Sequence, residues 1–312
     1  MKYRGLSVAI TGGTGFIGSH AVDFFKKEGA SVYILARDIS GASLPDNIVF
    51  GNVQVKEDVD YFIEKSQPDI FIHLAAQTQA LYSMDYPYET IKNNVLGTLN
   101  VLESLRKYGK CSKILVASSD KSYGKLLDDA YSEDHPLNGI FPYDMSKSVT
   151  DMITKTYRDV YKMNIVTIKH CNVYGAGDLN FKRLIPGIMK AHAKNVPFVI
   201  RNYGKDLREY IYIDDVIRAY DHILDYVEYG NERIFNLGSG DRLSSLDVFN
   251  IIRSKIKMLD PIFEGYFSGE IESQAMNYSL LNKETGWEPY CTAKRYMQKT
   301  AKWYINNLDN TY

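Results

Sequence analysis

The stretch Val8-Ala9-Ile10-Thr11-Gly12-Gly13-Thr14-Gly15-Phe16-Ile17-Gly18-Ser19 leaves few folds open. An apolar run suited to burial on both faces stops at glycines, and a helical pattern starts at once. Ile17, Ala21, Phe24 and Phe25 fall on one helical stripe. Gly13-x-Gly15-x-x-Gly18 then reads as a strand–turn–helix that cradles a pyrophosphate: one glycine makes the turn, one admits the phosphates, and one lets helix and strand pack closely. The free N–H groups and dipole of the helix start favour the anion.

The same alternation continues. Strands are expected at 31–36, 48–50, 70–74, 114–117 and 165–168, with helices at 59–65, 88–108 and 143–161. The stripe of the 88–108 helix would be Ile91, Val95, Leu99, Leu102 and Leu105. This order predicts an α/β fold, a Rossmann-type doubly wound parallel sheet. After Tyr174 the rhythm breaks. A helix near 184–194, a returning strand at 235–238 and two helices within 244–312 suggest a smaller, discontinuous α+β lobe. The division expected is 1–173 with 209–243 for the dinucleotide domain, and 174–208 with 244–312 for the lobe.

A chain of 312 residues can bury an ample core without disulfides, and Cys111, Cys171 and Cys291 suggest neither a disulfide framework nor a zinc site. A net charge of −1 gives no reason to expect nucleic acid or a membrane as partner. The N-terminus lacks a signal-peptide core and no run reaches the ~18 apolar residues of a membrane span, so a cytoplasmic protein is expected. Asp214-Asp215 reads as a helix N-cap, no metal site is expected, and His73 should stand near the cofactor without doing chemistry. The 25 tyrosines read as fillers of half-buried surface.

The strand at 31–36 ends Leu35-Ala36-Arg37-Asp38. A carboxylate for a ribose 2′-OH is missing at Ala36, and Arg37 could pair with a 2′-phosphate. NADP is therefore favoured, with NAD left open through Asp38. Asn52 and Val53 are candidates for contact with the adenine. Tyr143 and Lys147, at i and i+4, share a helix face. A lysine ammonium beside the phenol would help Tyr143 take a hydroxyl proton while hydride leaves the carbon. Tyr88/Lys92 and Tyr290/Lys294 share the spacing, but only Tyr143 follows a strand that ends in hydroxyls at Ser118-Ser119.

Thr11-Gly12-x-x-Gly15-x-x-Gly18, Ser119, Tyr143-x-x-x-Lys147 and Asn172-Val173-Tyr174-Gly175 together resemble the extended short-chain dehydrogenases, which act on nucleotide-diphosphate sugars. The resemblance runs through Arg208 to Asp215, Asn236 to Gly240 and Gly286-Trp287-Glu288-Pro289. It implies that Gly12, Gly15, Phe16, Ile17, Gly18, Leu74, Ala75, Ala76 and Lys147 bind the cofactor. It also implies that Ser119 bonds the sugar hydroxyl and that Gln77, Asn172, Arg183 and Arg208 hold the substrate. A homodimer through helices 88–108 and 143–161 is a further implication.

Asp120-Lys121, where sugar 4-epimerases carry small neutral residues, resembles the CDP-glucose 4,6-dehydratases, as do 73–77, 177–180, 183–186 and 270–274. Once C4 is a ketone, a base can take the C5 proton and an acid can release the C6 hydroxyl. Asp120 and Lys121 would supply that pair, in an order the sequence leaves open. A surface ion pair closing a turn is the other meaning of these two residues. Relatives place a phosphate-binding arginine where Phe267 stands before Gly269-Glu270, so phosphate grip would rest on Arg208 and Arg183. A 4-epimerase or C4 reductase is the alternative activity, and a non-catalytic cofactor sensor the alternative class.

Overall fold

The computed structural model describes residues 1–39, 45, 47–126, 129–227, 233–265 and 272–308. Phe267, Gly269, Glu270 and Ile271 lie outside the described residues.

The chain begins with β1 (Ser7–Thr11), α1 (Phe16–Lys27), β2 (Ser31–Ala36), β3 (Asn47–Phe50), α2 (Lys56–Ser66) and β4 (Ile70–His73). Next come α3 (Ala80–Asp85), α4 (Pro87–Ile91), α5 (Gly97–Tyr108), β5 (Lys113–Ser119), α6 (Pro142–Asp159), β6 (Ile165–His170) and β7 (Asn172–Tyr174). The remainder is α7 (Leu184–Ala193), β8 (Val199–Ile200), β9 (Leu207–Tyr212), α8 (Ile213–Tyr226), β10 (Ile234–Leu237) and β11 (Arg242–Ser244). It closes with α9 (Ser245–Arg253), β12 (Ile262–Phe263), α10 (Ser279–Thr285) and α11 (Ala293–Asn307).

Seven strands form one parallel sheet in the order β10-β6-β5-β4-β1-β2-β3. Period-2 alternation divides the central strands between two cores. Val8 and Ile10 of β1 pack with Ala21, Phe25 and residues of α8, whereas Ala9 joins Val59 and Phe62 of α2 and Leu102 of α5. The strand order reverses between β1 and β4, and such a switch point opens a crevice at the carboxyl ends of the strands.

The expected helix 88–108 runs from α4 into α5, but residues Lys92–Leu96 between them form a π turn. Leu102 and Leu105 are buried as expected, whereas Leu99 is exposed and Asn94, Thr98 and Asn100 turn inward. Leu96 and Leu99 of this helix and Met152 and Val160 of α6 and its end leave apolar surface facing outward.

Beyond β6, β11-β9-β7 form a second sheet and β12-β8 a third, covered by α7, α9 and α11. The described residues of 244–308 hold three helices rather than the two expected; α10, seven residues long, is too short for a period to show. Nor is Asp215 an N-cap. Tyr212 stands at that position, and the buried Asp215 carboxylate accepts the backbone N–H groups of Tyr290 and Cys291, at 3.1 and 2.8 Å. Its carbonyl accepts the indole N–H of the fully buried Trp287, so α8 is stapled to the segment after α10. No helix among the described residues is long and apolar enough to cross a membrane.

Candidate active site

A cleft of about 820 Å³ opens at the switch point. Its floor is the glycine turn. Gly12 has φ +75°, and a Cβ there would stand 2.8 Å from the Ala75 nitrogen. A Cβ on Gly18 would stand 2.0 Å from the Gly12 carbonyl oxygen, so α1 could not seat against the turn. Gly15 is the N-cap of α1, with no capping side chain and no acidic residue in the first turn. The helix start thus faces the cleft with N–H groups and a positive dipole end. This cradle fits a dinucleotide pyrophosphate, with Phe16 and Ile17 beside it.

Ala36, Arg37, Asn52 and Val53 line one end of the cleft. Asp58 fixes the Asn52 backbone N–H at 2.8 Å, and Asn100 donates to the Val53 carbonyl at 2.9 Å. Leu74, Ala75, Ala76 and Gln77 form the wall beyond β4. Asn94, delivered by the π turn, holds that wall. Its oxygen accepts the Gln77 N–H at 2.7 Å, while its Nδ2 donates to the Gln77 carbonyl at 3.0 Å and to Ser146 Oγ at 2.9 Å. Turns of this kind recur at functional sites. His73 lies behind the wall between the Thr11 and Thr98 hydroxyls, and burial lowers it to about 3, so it is neutral.

The reactive groups gather where β5 ends. Ser119 is the N-cap of a short 3-10 turn, Asp120–Tyr123, and its Oγ accepts the Lys121 N–H at 3.2 Å. The turn brings Asp120 and Lys121 to the same cleft wall, where an extended segment would have pointed them apart. Ser119 Oγ donates to Asp120 Oδ1 at 2.9 Å, and the buried Asp120 Oδ2 has no hydrogen bond among the described residues. Burial raises the Asp120 carboxyl above the usual range, against the pull of the Lys121 and Arg208 charges. The Lys121 ammonium donates to Gln274 Oε1.

Tyr143 and Lys147 enter the cleft from α6, with Tyr143 hydrogen-bonded to Ser119. Burial raises the phenol while the Ser119 bond and the Arg183 charge oppose it. Lys147 donates to the Ala117 carbonyl at 3.1 Å, and burial lowers it to about 8. The competing pairs fall elsewhere: Tyr88 and Tyr290 are exposed surface residues outside the cleft.

On the opposite side, Asn172 and Arg183 line the cleft. Asn172 Nδ2 donates to the Glu209 carbonyl, and Arg183 reaches Asp178 at 3.0 Å and Thr78 Oγ1 at 3.1 Å. Arg208 is not among the residues lining this cleft; it donates to the Leu207 carbonyl at 3.0 Å, and its charge acts on Asp120. No group of three or more His, Cys, Asp or Glu among the described residues could hold a metal ion.

The description "NAD dependent epimerase/dehydratase family" matches residues 8–238. The chain belongs to that family. It is 29% identical to a putative UDP-glucose 4-epimerase of Methanocaldococcus jannaschii, over 96% of this chain and 99% of the relative. It is 28% identical to the dTDP-D-glucose 4,6-dehydratase of Dictyostelium discoideum, over 96% and 82%. The crystal structure of the Thermotoga maritima UDP-glucose 4-epimerase with UDP-glucose superposes with a TM-score of 0.89 at 25% identity, covering 96% of this chain and 99% of that one. This family member is thus an NAD(P)-dependent enzyme of the extended short-chain dehydrogenase type, related to epimerases and dehydratases alike.

Sequence reasoning did not single out Asn94 or Asp144, and it reached Gln274 only as the end of the 270–274 likeness, with no role attached. Asn94 did leave a trace, a pair of amides in the middle of a helix. Asp144, buried beside the Lys121 and Asp120 charges, is raised to about 6, chiefly by burial.

Proposed function

We propose that the enzyme is an NDP-sugar 4,6-dehydratase, with CDP-glucose the first substrate to try. The observation that carries this reading is that Asp120 and Lys121 share one cleft wall with Ser119 and Tyr143. Interconversion at C4 alone calls for no second acid–base pair. When bound, the nicotinamide cofactor supplies the hydride acceptor at C4 and the donor at C6. Ser119 orients the C4 hydroxyl and Tyr143 takes its proton, with Lys147 as the neighbouring cation. The resulting ketone acidifies C5. Lys121 takes the C5 proton as its amine, and Asp120, whose buried carboxyl favours the protonated form, gives its proton to the departing C6 hydroxyl as water leaves. Gly12, Gly15 and Gly18 hold the pyrophosphate of the cofactor, and Asn172 and Arg183 that of the substrate. Residues 1–173 with 209–243 serve as the cofactor half and the rest as the substrate half. Purified protein incubated with NDP-hexoses should give, by mass spectrometry, a product lighter by one water. A product of unchanged mass inverted at C4 would make it an epimerase.

Arg37, lining the cleft with no carboxylate at Ala36, supports NADP as the cofactor. Arg37→Ala should weaken NADP binding by about 1.5–3 kcal/mol, the range of a charged hydrogen bond, and leave NAD binding unchanged in calorimetry. Equal losses for both would remove Arg37 from the 2′-phosphate.

Leu96, Leu99, Met152 and Val160 support a homodimer through α5 and α6, since apolar surface gathered on neighbouring helices is best buried against a second copy. Light scattering at micromolar protein should return twice the chain mass; a monomer mass would refute the contact.

A further inference from the structure

Gln274 has no exposed surface, yet its side chain ends on Lys121. Its backbone is pinned on both sides. Gln274 N–H donates to the Leu207 carbonyl at 3.1 Å, and Leu207 N–H to the Glu272 carbonyl at 2.9 Å. Tyr131 N–H donates to the Ala275 carbonyl at 2.9 Å, and Asn277 N–H to the Tyr131 carbonyl at 2.8 Å. The Met276 N–H is taken by the buried Glu209 carboxylate, which also accepts Ser239 and Gly240. Only the amide oxygen can accept from an ammonium, so the orientation of the side chain is set.

We propose that Gln274 is a positioning residue: its oxygen fixes the Lys121 amine at the cleft wall, and its lack of charge lets Lys121 release and regain a proton. A carboxylate there would hold the proton on Lys121. The ionisable groups around the pair are Asp120 on the same turn, Asp144 and Tyr143 on α6, Arg208 and Glu209 on β9, and Tyr131. The role in elimination rests on the dehydratase reading; the hold on Lys121 does not.

The test uses the full chain labelled with 15N-lysine, following Lys121 Nζ by NMR against pH, with the signal assigned from Lys121→Arg. Gln274→Glu, nearly isosteric, should raise the Lys121 titration midpoint by about one pH unit or more, the size of an opposite charge in contact. Gln274→Leu should lower the midpoint and slow water loss by ~10²-fold at unchanged KM, as misplacement of a reacting group does. Unchanged midpoints in both variants would overturn the proposal. Should Gln274→Leu not fold, the Gln274→Glu midpoint decides alone. If the midpoints move as expected while wild type inverts C4 without losing water, the dehydratase reading fails and the hold on Lys121 stands.

Discussion

Asp120→Asn combined with Lys121→Ala should abolish water loss, by at least the ~10²–10⁴-fold that one general acid or base contributes. Both side chains reach the cleft because the 3-10 turn after Ser119 folds them to one side. Asparagine in place of Asp120 would keep the shape and the Ser119 contact but could not deliver a proton, and alanine in place of Lys121 would remove the amine. Ser119, Tyr143 and Lys147 remain, so dinucleotide binding by calorimetry should match wild type. A double variant that still loses water at the wild-type rate would show that this pair is a structural turn.

Tyr143→Phe should cost ~10²–10⁴-fold in turnover with cofactor affinity intact. The ring is buried, and phenylalanine fills the same space, so only the hydroxyl and its bond to Ser119 are lost. The same change at Tyr88 or Tyr290, both exposed away from the cleft, should be silent. Near-normal turnover in the Tyr143 variant would move the proton-taking role to another group. Burial raises the phenol in the protein alone, and Lys147 is committed to the Ala117 carbonyl rather than to the phenol.

The sheet was legible because its strands are buried on both faces and read as apolar runs, as at 70–72 and 114–116. The small sheet was not: Asn172–Tyr174 and Arg242–Ser244 are three residues each, and only their pairing with β9 makes them strands. Within the site, spacing found Tyr143 and Lys147, and a strand end found Ser119. Gln274 meets Lys121 across 153 positions, a separation no local pattern reports. The stripe drawn through Leu99 failed because the buried face of α5 centres on Thr98, Val101 and Leu105, which leaves Leu99 beyond its edge.

The π turn at Lys92–Leu96 decides what a change in length does to the helix. Upstream of Lys92 and downstream of Leu96 the chain runs in two frames, and Asn94 sits at the join. Deleting a single residue there would restore one frame throughout. Asn94 would lose its place against Gln77 and Ser146, while the α5 face would keep its direction, because the wide turn already absorbs one residue more than an α-helical turn. A deletion within α5 would instead turn the residues beyond it by about 100°, one residue's step around a helix.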